Sequence, residues 1–244
     1  MKVIQCRFIV PALKSTSPEK IVTRGRFAMM LNQALNLWLN GLAKAIADMD
    51  AANAARIAAR MSFFDTFDNS AKGWMIGENS AAKTSIADSR FLLNMKYDAI
   101  LISTIPVAKA PKLDPTRDFS IEVSFAFTSG APTSSFGLVW GAGNDQKRRH
   151  SCGILQGGGY YFGKHAGGKW KDEIKLGETA LVKKGPNAMN NLIVRKRGNL
   201  FDLNLNTIRV ATVPYVAFDP GGTFGFQLFG ESSVSVDYIH VQQD

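Results

Sequence analysis

The chain has 244 residues, 45% of them apolar and 20% charged, which is enough to build an ordinary core without metal or disulfide staples. Its formal net charge is +9, and its two cysteines, Cys6 and Cys152, have no Cys or His neighbour at metal-ligand spacing, so the sequence offers no zinc motif. The charge is uneven: residues 1–61 hold nine Lys/Arg against three Asp/Glu, which is +6 of the +9.

The cysteines are read as two free thiols, with a bridge between them as the alternative. Residues 1–13 do not read as an export signal, because Gln5 and Arg7 interrupt the apolar run and no small-residue cleavage site follows closely. The stretch Phe27–Met49 carries Asn32, Gln33, Asn36, Asn40, Lys44 and Asp48, which makes a membrane span costly. The expectation is a soluble, cytoplasmic protein.

In chain order, residues 3–10 (VIQCRFIV) predict one strand. Ser17-Pro18-Glu19 then has the form of a helix start, with a capping hydroxyl, a proline at the first turn and an acid at the positive end of the dipole. Gly25 reads as a break or kink. From there apolar residues fall at 27, 31, 35, 38, 42, 45 and 49, in steps of four and three. A helix is expected over 27–60, with a second candidate break at Gly41. At 1.5 Å per residue it would be about 50 Å long, more than one face of a small sandwich needs.

Three uses of that helix stay open: packing on its own β domain, docking on another chain or on copies of itself, and binding a membrane surface or nucleic acid. For docking, the candidate residues are Phe27, Leu31, Leu35, Trp38, Leu42 and Met49. Nucleic acid is disfavoured, since Lys2, Arg7, Lys14, Lys20, Arg24 and Arg26 are spread out with few aromatics among them.

Beyond residue 61 the sequence reads as strands and turns, so the chain divides into a basic helical segment (1–61) and a β domain (62–244). The clearest strands are 91–95, 99–105, 119–127, 135–142, 151–155, 158–164, 191–197, 200–206, 208–213, 223–229 and 233–241. In 119–127, Phe119, Ile121, Val123, Phe125 and Phe127 share one face. In 233–241, strict alternation puts Val234, Val236, Tyr238 and His240 on one face and Ser235, Asp237, Ile239 and Val241 on the other. About eleven strands separated by Gly, Asn, Asp and Pro turns, with no helical stretch between them, predict a two-sheet antiparallel sandwich.

An ordered series of short motifs runs through this domain. It begins with Phe64-Asp65-Thr66-Phe67-Asp68-Asn69 and Gly73-Trp74. It continues through Asp118-Phe119-Ser120-Ile121-Glu122-Val123, Phe136-Gly137-Leu138-Val139-Trp140-Gly141, Gly159-Tyr160-Tyr161 and Gly168-Lys169-Trp170. It ends with Asn190-Asn191-Leu192-Ile193-Val194-Arg195, Leu203-Asn204-Leu205-Asn206, Gly225-Phe226 and Val236-Asp237-Tyr238-Ile239-His240-Val241. Over about 180 residues this order resembles the concanavalin A-like jelly roll of bacterial laminin-G-like and family-16-glycosidase-like accessory domains. The resemblance implies a mainly β fold, with the N-terminal strand and long amphipathic helix as additions. It does not imply one function, because lectins, hydrolases and structural modules share the architecture.

Catalytic members of that group carry a Glu-x-Asp-x-x-Glu pattern on one strand, and this chain has none. Asp172 and Glu173 are adjacent and would point to opposite faces. His150, His165 and His240 are isolated in sequence, and no phosphate loop or nucleophile elbow is present. No catalytic residue and no metal ligand is assigned. Calcium is the one cofactor left open, with Asn144, Asp145 and Asp219 as candidate ligands but no acidic loop cluster.

A sugar site would need aromatic faces beside polar groups. The candidates are Trp140, Tyr160, Tyr161 and Trp170, with Asn144, Asp145 and His150 in the adjacent loop. Alternation requires one of Tyr160 and Tyr161 to face inward. Lys147-Arg148-Arg149-His150 reads as a basic hairpin tip. The sequence therefore favours a non-enzymatic binding or assembly protein docked to a partner or to itself through the helix. A carbohydrate-binding module is the alternative, and a glycoside hydrolase comes after it.

Overall fold

The computed structural model describes residues 24–58, 61–69, 72–106, 109–143, 147–185, 188–217 and 222–244. The expected strand at 3–10 and the Ser17-Pro18 helix start lie outside them. So do Asn144, Asp145 and Asp219. The chain forms two compact units, Met1–Ala55 and Arg56–Asp244.

In the first unit the described element is one helix, α1 (Arg24–Ala58). It runs unbroken through Gly25 and Gly41, against the two expected breaks. A glycine inside a helix costs about 1 kcal/mol relative to alanine, and the run of Ala, Leu and Met around both glycines is made of strong helix formers.

Among the described residues the second unit holds fifteen strands: β1 (Met61–Asp65), β2 (Gly77–Glu78), β3 (Ala82–Ala87), β4 (Arg90–Met95), β5 (Ile100–Thr104), β6 (Phe119–Gly130), β7 (Ser135–Ala142), β8 (Arg149–Leu155), β9 (Gly159–Ala166), β10 (Lys169–Glu178), β11 (Asn190–Arg197), β12 (Leu200–Leu205), β13 (Ile208–Pro214), β14 (Thr223–Phe229) and β15 (Ser232–Gln243). They form two antiparallel sheets. A nine-stranded sheet runs β13-β12-β11-β6-β15-β4-β3-β2, with β1 also paired to β15. A six-stranded sheet runs β10-β9-β8-β7-β14-β5. The architecture is the expected sandwich, with β1, β2, β3 and β10 added to the eleven strands read from the sequence.

Alternation fills the space between the sheets. Phe119, Ile121, Val123, Phe125 and Phe127 from β6 meet Phe136, Leu138 and Trp140 from β7 and Phe224, Phe226 and Leu228 from β14, all in one buried cluster. Burying a side chain of this size stabilises the fold by about 1.5–3 kcal/mol. The opening motif closes one part of this core. Asp65, itself buried, accepts from the Trp74 indole (2.7 Å) and from the Phe67 backbone N–H (2.9 Å). That second bond holds Phe67 in a left-handed turn (φ 58°), and Trp74 lies flat on Phe226, with ring centroids 4.9 Å apart.

Strand β15 departs from strict alternation. Val236 pairs with Phe125, but the next pair is Tyr238 with Ser124, so Asp237 is an extra residue opposite a single step of β6. This bulge reverses the phase of the strand. Val234 and Val236 face the core before it, and Ile239 and Val241 do so after it. Tyr238 and His240 turn outward, where the Tyr238 hydroxyl donates to Glu122 (2.6 Å) and both rings lie beside Phe64. The single face assigned to Val234, Val236, Tyr238 and His240 is therefore corrected.

Candidate functional site

The six-stranded sheet has one face in the core and one face outward. Register fixes what the outward face carries. In one row, Trp170 of β10 lies opposite His165 of β9, which lies opposite Arg149 of β8. In the next, Asp172 lies opposite Gly163, which lies opposite Ser151. In a third, Tyr161 lies opposite Gly153, then Gly137 on β7 and Gln227 on β14.

Two glycines of these rows, Gly163 and Gly153, are places where rings lie down. A Cβ on Gly163 would sit 2.4 Å from the Trp170 ring, and one on Gly153 would sit 2.7 Å from the Tyr161 hydroxyl. Trp170 therefore lies across β9 and Tyr161 across β8. Tyr161 reaches over to accept from the Gln227 amide at 3.3 Å. The two rings meet edge to face at 6.2 Å, and His165 lies 5.3 Å from Trp170. The Trp170 indole N–H donates to the Asp172 carboxylate, which fixes the ring's rotation. Trp170 stays 37% exposed while Tyr161 is buried beneath the layer.

Burial sets the charge states here. It pushes the Tyr161 phenol up to about 12, so the group stays a neutral hydroxyl. It also lowers His165, with the Arg149 guanidinium adding to the effect, so a neutral imidazole is favoured beside Trp170. Arg149 is shifted down by burial as well.

The residues singled out from the sequence separate. Tyr161 and Trp170 come together on the outward face. Tyr160 points the other way and packs against the core. Trp140 is fully buried, stacked on His150 at 5.4 Å and hemmed in by Phe162 and Phe201. His150 is buried too, and burial followed by the nearby Lys164 charge lowers it to about 4. Trp140, His150 and Tyr160 thus offer no ring face to a ligand on the outward sheet, because alternation sends them inward. Arg149 and His150 are not a solvated hairpin tip but the buried first residues of β8. Asn144 and Asp145 lie outside the described residues.

None of His165, Arg149, Asp172 and Gln227 is assigned to a sugar site from the sequence. One signal could have found His165. Gly167-Gly168 is a two-residue hairpin turn that pairs Ala166 with Lys169, and this register places His165 beside Trp170.

Acid chemistry has little to work with on this face. Among the described residues, β7, β8 and β9 contribute no carboxylate. Asp172 serves Trp170, while Glu173 pairs with Lys164 at 3.2 Å. No group of three or more His, Cys, Asp or Glu among the described residues could hold a metal ion. Cys152 is a free, buried thiol, pushed up by burial and so unreactive in the folded state.

Solved structures overlay the sandwich along most of their length. The carbohydrate-binding module CBM66 from Bacillus subtilis is 16% identical, with 68% of this chain and 92% of that chain covered at a TM-score of 0.52. A β-glucanase from Bacillus licheniformis is 10% identical, with 75% and 97% covered at 0.54. A protein of unknown function with a galectin-like fold, from Bacillus subtilis, is 9% identical, with 74% and 94% covered at 0.56. The fold is the concanavalin A-like jelly roll. These identities establish the jelly roll alone, and neither a family model nor a curated protein matches the sequence. Among the described residues, no helix is long and apolar enough to cross a membrane.

Proposed function

We propose that the jelly roll binds carbohydrate on the outward face of the six-stranded sheet, without cleaving it. The observation that carries this reading is Trp170. Its ring lies over a glycine, is locked by Asp172, is flanked by His165 and is still open to solvent. An indole held in this way presents a pre-organised apolar plane to the C–H face of a sugar, and adjacent polar groups can accept its hydroxyls. Likeness to a carbohydrate-binding module supports the reading. Likeness to a glucanase does not add hydrolysis, because the described outward face has no pair of facing carboxylates about 5–5.5 Å apart.

The sequence favours an assembly protein on the strength of the helix, with glycan binding second. The comparisons bear on the sandwich and support the glycan-binding reading for that unit.

The test is a polysaccharide panel read by calorimetry and tryptophan emission on the full chain. At least one glycan is expected to bind and to shift the emission, and Trp170→Ala is expected to weaken that binding about tenfold or more. Reducing ends should not accumulate on prolonged incubation. No binding across the panel, or equal binding by Trp170→Ala, would overturn the assignment.

A further inference from the structure

We propose that α1 is a self-association element whose occupant is α1 of a second copy of this chain, packed along the 27–49 stripe. Within its unit α1 is the sole described element, and large apolar side chains stand open along it: Phe27 is 64% exposed, Trp38 63% and Met49 64%, with Leu31, Leu35 and Leu42 exposed between them. From Leu31 to Met49 the stripe alternates steps of four and three, the spacing that lets side chains of one helix seat between those of another. A β-sheet surface imposes no such period. No polar residue interrupts positions 31, 35, 38, 42, 45 and 49, and the residues Asn32, Asn36, Asn40 and Lys44 fall outside the stripe.

The area also fits. The stripe's two rings, Phe27 and Trp38, each offer roughly 150–250 Å². With the exposed parts of Leu31, Leu35, Leu42 and Met49 they present several hundred Å² per helix, approaching the share of about 800 Å² that each partner gives to a standard stable interface. A monomer rarely leaves a continuous apolar strip of that extent in water. At 35 residues and about 1.5 Å per residue, the helix is also long enough for several heptads of contact. A second copy is the partner that supplies a complementary stripe of the same length and spacing.

Light scattering on the full chain, after nuclease treatment, tests this. The expected mass is twice that of one chain or a higher multiple. Leu35→Asp with Leu42→Asp is expected to return it to a single chain while the sheet's thermal transition stays in place. Asn36→Asp, on the polar side, is expected to leave the mass unchanged. Should the double variant precipitate, Leu35→Ala is expected to raise the concentration of half-dissociation at least about tenfold. A wild-type chain that stays monomeric at tens of micromolar overturns the proposal. So does an oligomer that survives Leu35→Asp with Leu42→Asp, or one that Asn36→Asp dissolves. Glycan binding is read separately through Trp170, so either idea can fail alone.

Discussion

Two tryptophan–histidine pairs sit in the same sheet, each formed by residues directly opposite on neighbouring strands. Trp140 faces His150 across β7 and β8, and Trp170 faces His165 across β9 and β10. The first pair is stacked nearly parallel (15°) in the core, and the second is tilted (59°) on the outward face. Chemistry does not separate them, since both are an indole beside an imidazole. What separates them is the phase of each strand, which sends one pair between the sheets and the other toward solvent. A candidate site in a β-sandwich is therefore a statement about parity before it is a statement about residue type.

Removing each ring should expose the difference. Trp140→Ala is expected to cost about 3–5 kcal/mol of stability, because it opens a cavity that Phe162, Phe201 and His150 cannot fill. The midpoint of denaturant unfolding measures this. Trp170→Ala should cost about 1 kcal/mol or less in the same assay, and show instead in glycan affinity. Equal losses of stability would erase the distinction.

The histidines sharpen it. His150 is held at about 4 in the fold, against about 6.5 in the unfolded chain. Its lowered value means that the unfolded state takes up the proton first as pH falls. The neutral side chain's contribution is complete above about pH 6.5 and is lost progressively down to about pH 4, by roughly 3 kcal/mol. Replacement by Gln should flatten that part of the stability–pH curve. His165 is shifted in the same direction from a more open site, so its replacement should change the slope less.

The smallest expected effect on affinity is at Gly163. Gly163→Ala puts a methyl 2.4 Å from the Trp170 ring and 2.7 Å from the Lys171 backbone carbonyl oxygen, so the ring must lift and the neighbouring strand must give. Affinity for a bound glycan should fall about threefold, with a loss of stability of about 1–3 kcal/mol from the crowded backbone. No change in affinity would mean that the flat seat of Trp170 is incidental.

Sandwich architecture was largely legible because buried strands announce themselves. The five large residues at alternate positions from 119 to 127 could lie only on a core face. Strand β10 gave no such signal. Its sequence KWKDEIKLGE carries charges at six of its ten positions and no alternating apolar run, since it lies at the sheet's edge and is mostly exposed. Without β10 recognised as a strand, the Gly167-Gly168 turn was not extended into the register that joins Trp170 to His165. Nor could alternation foresee Asp237. A bulge is one surplus residue, invisible until the partner strand is known, and it turned Tyr238 and His240 outward. Tyr160 and Tyr161 were undecidable as a pair for the same reason: one must point inward, and only the partners Gly153 and Gly177 settle which.

The edge position of β10 has a consequence for solubility. Its outer rim bears Lys169, Lys171, Asp172, Glu173, Lys175 and Glu178 around an exposed indole. A strand with one open edge is a template on which a further strand could add, and closely set charges are the usual deterrent to that growth. The charges that hid this strand in the sequence thus also guard it, and stripping them would be expected to turn the surface that displays Trp170 into a seed for sheet-to-sheet aggregation.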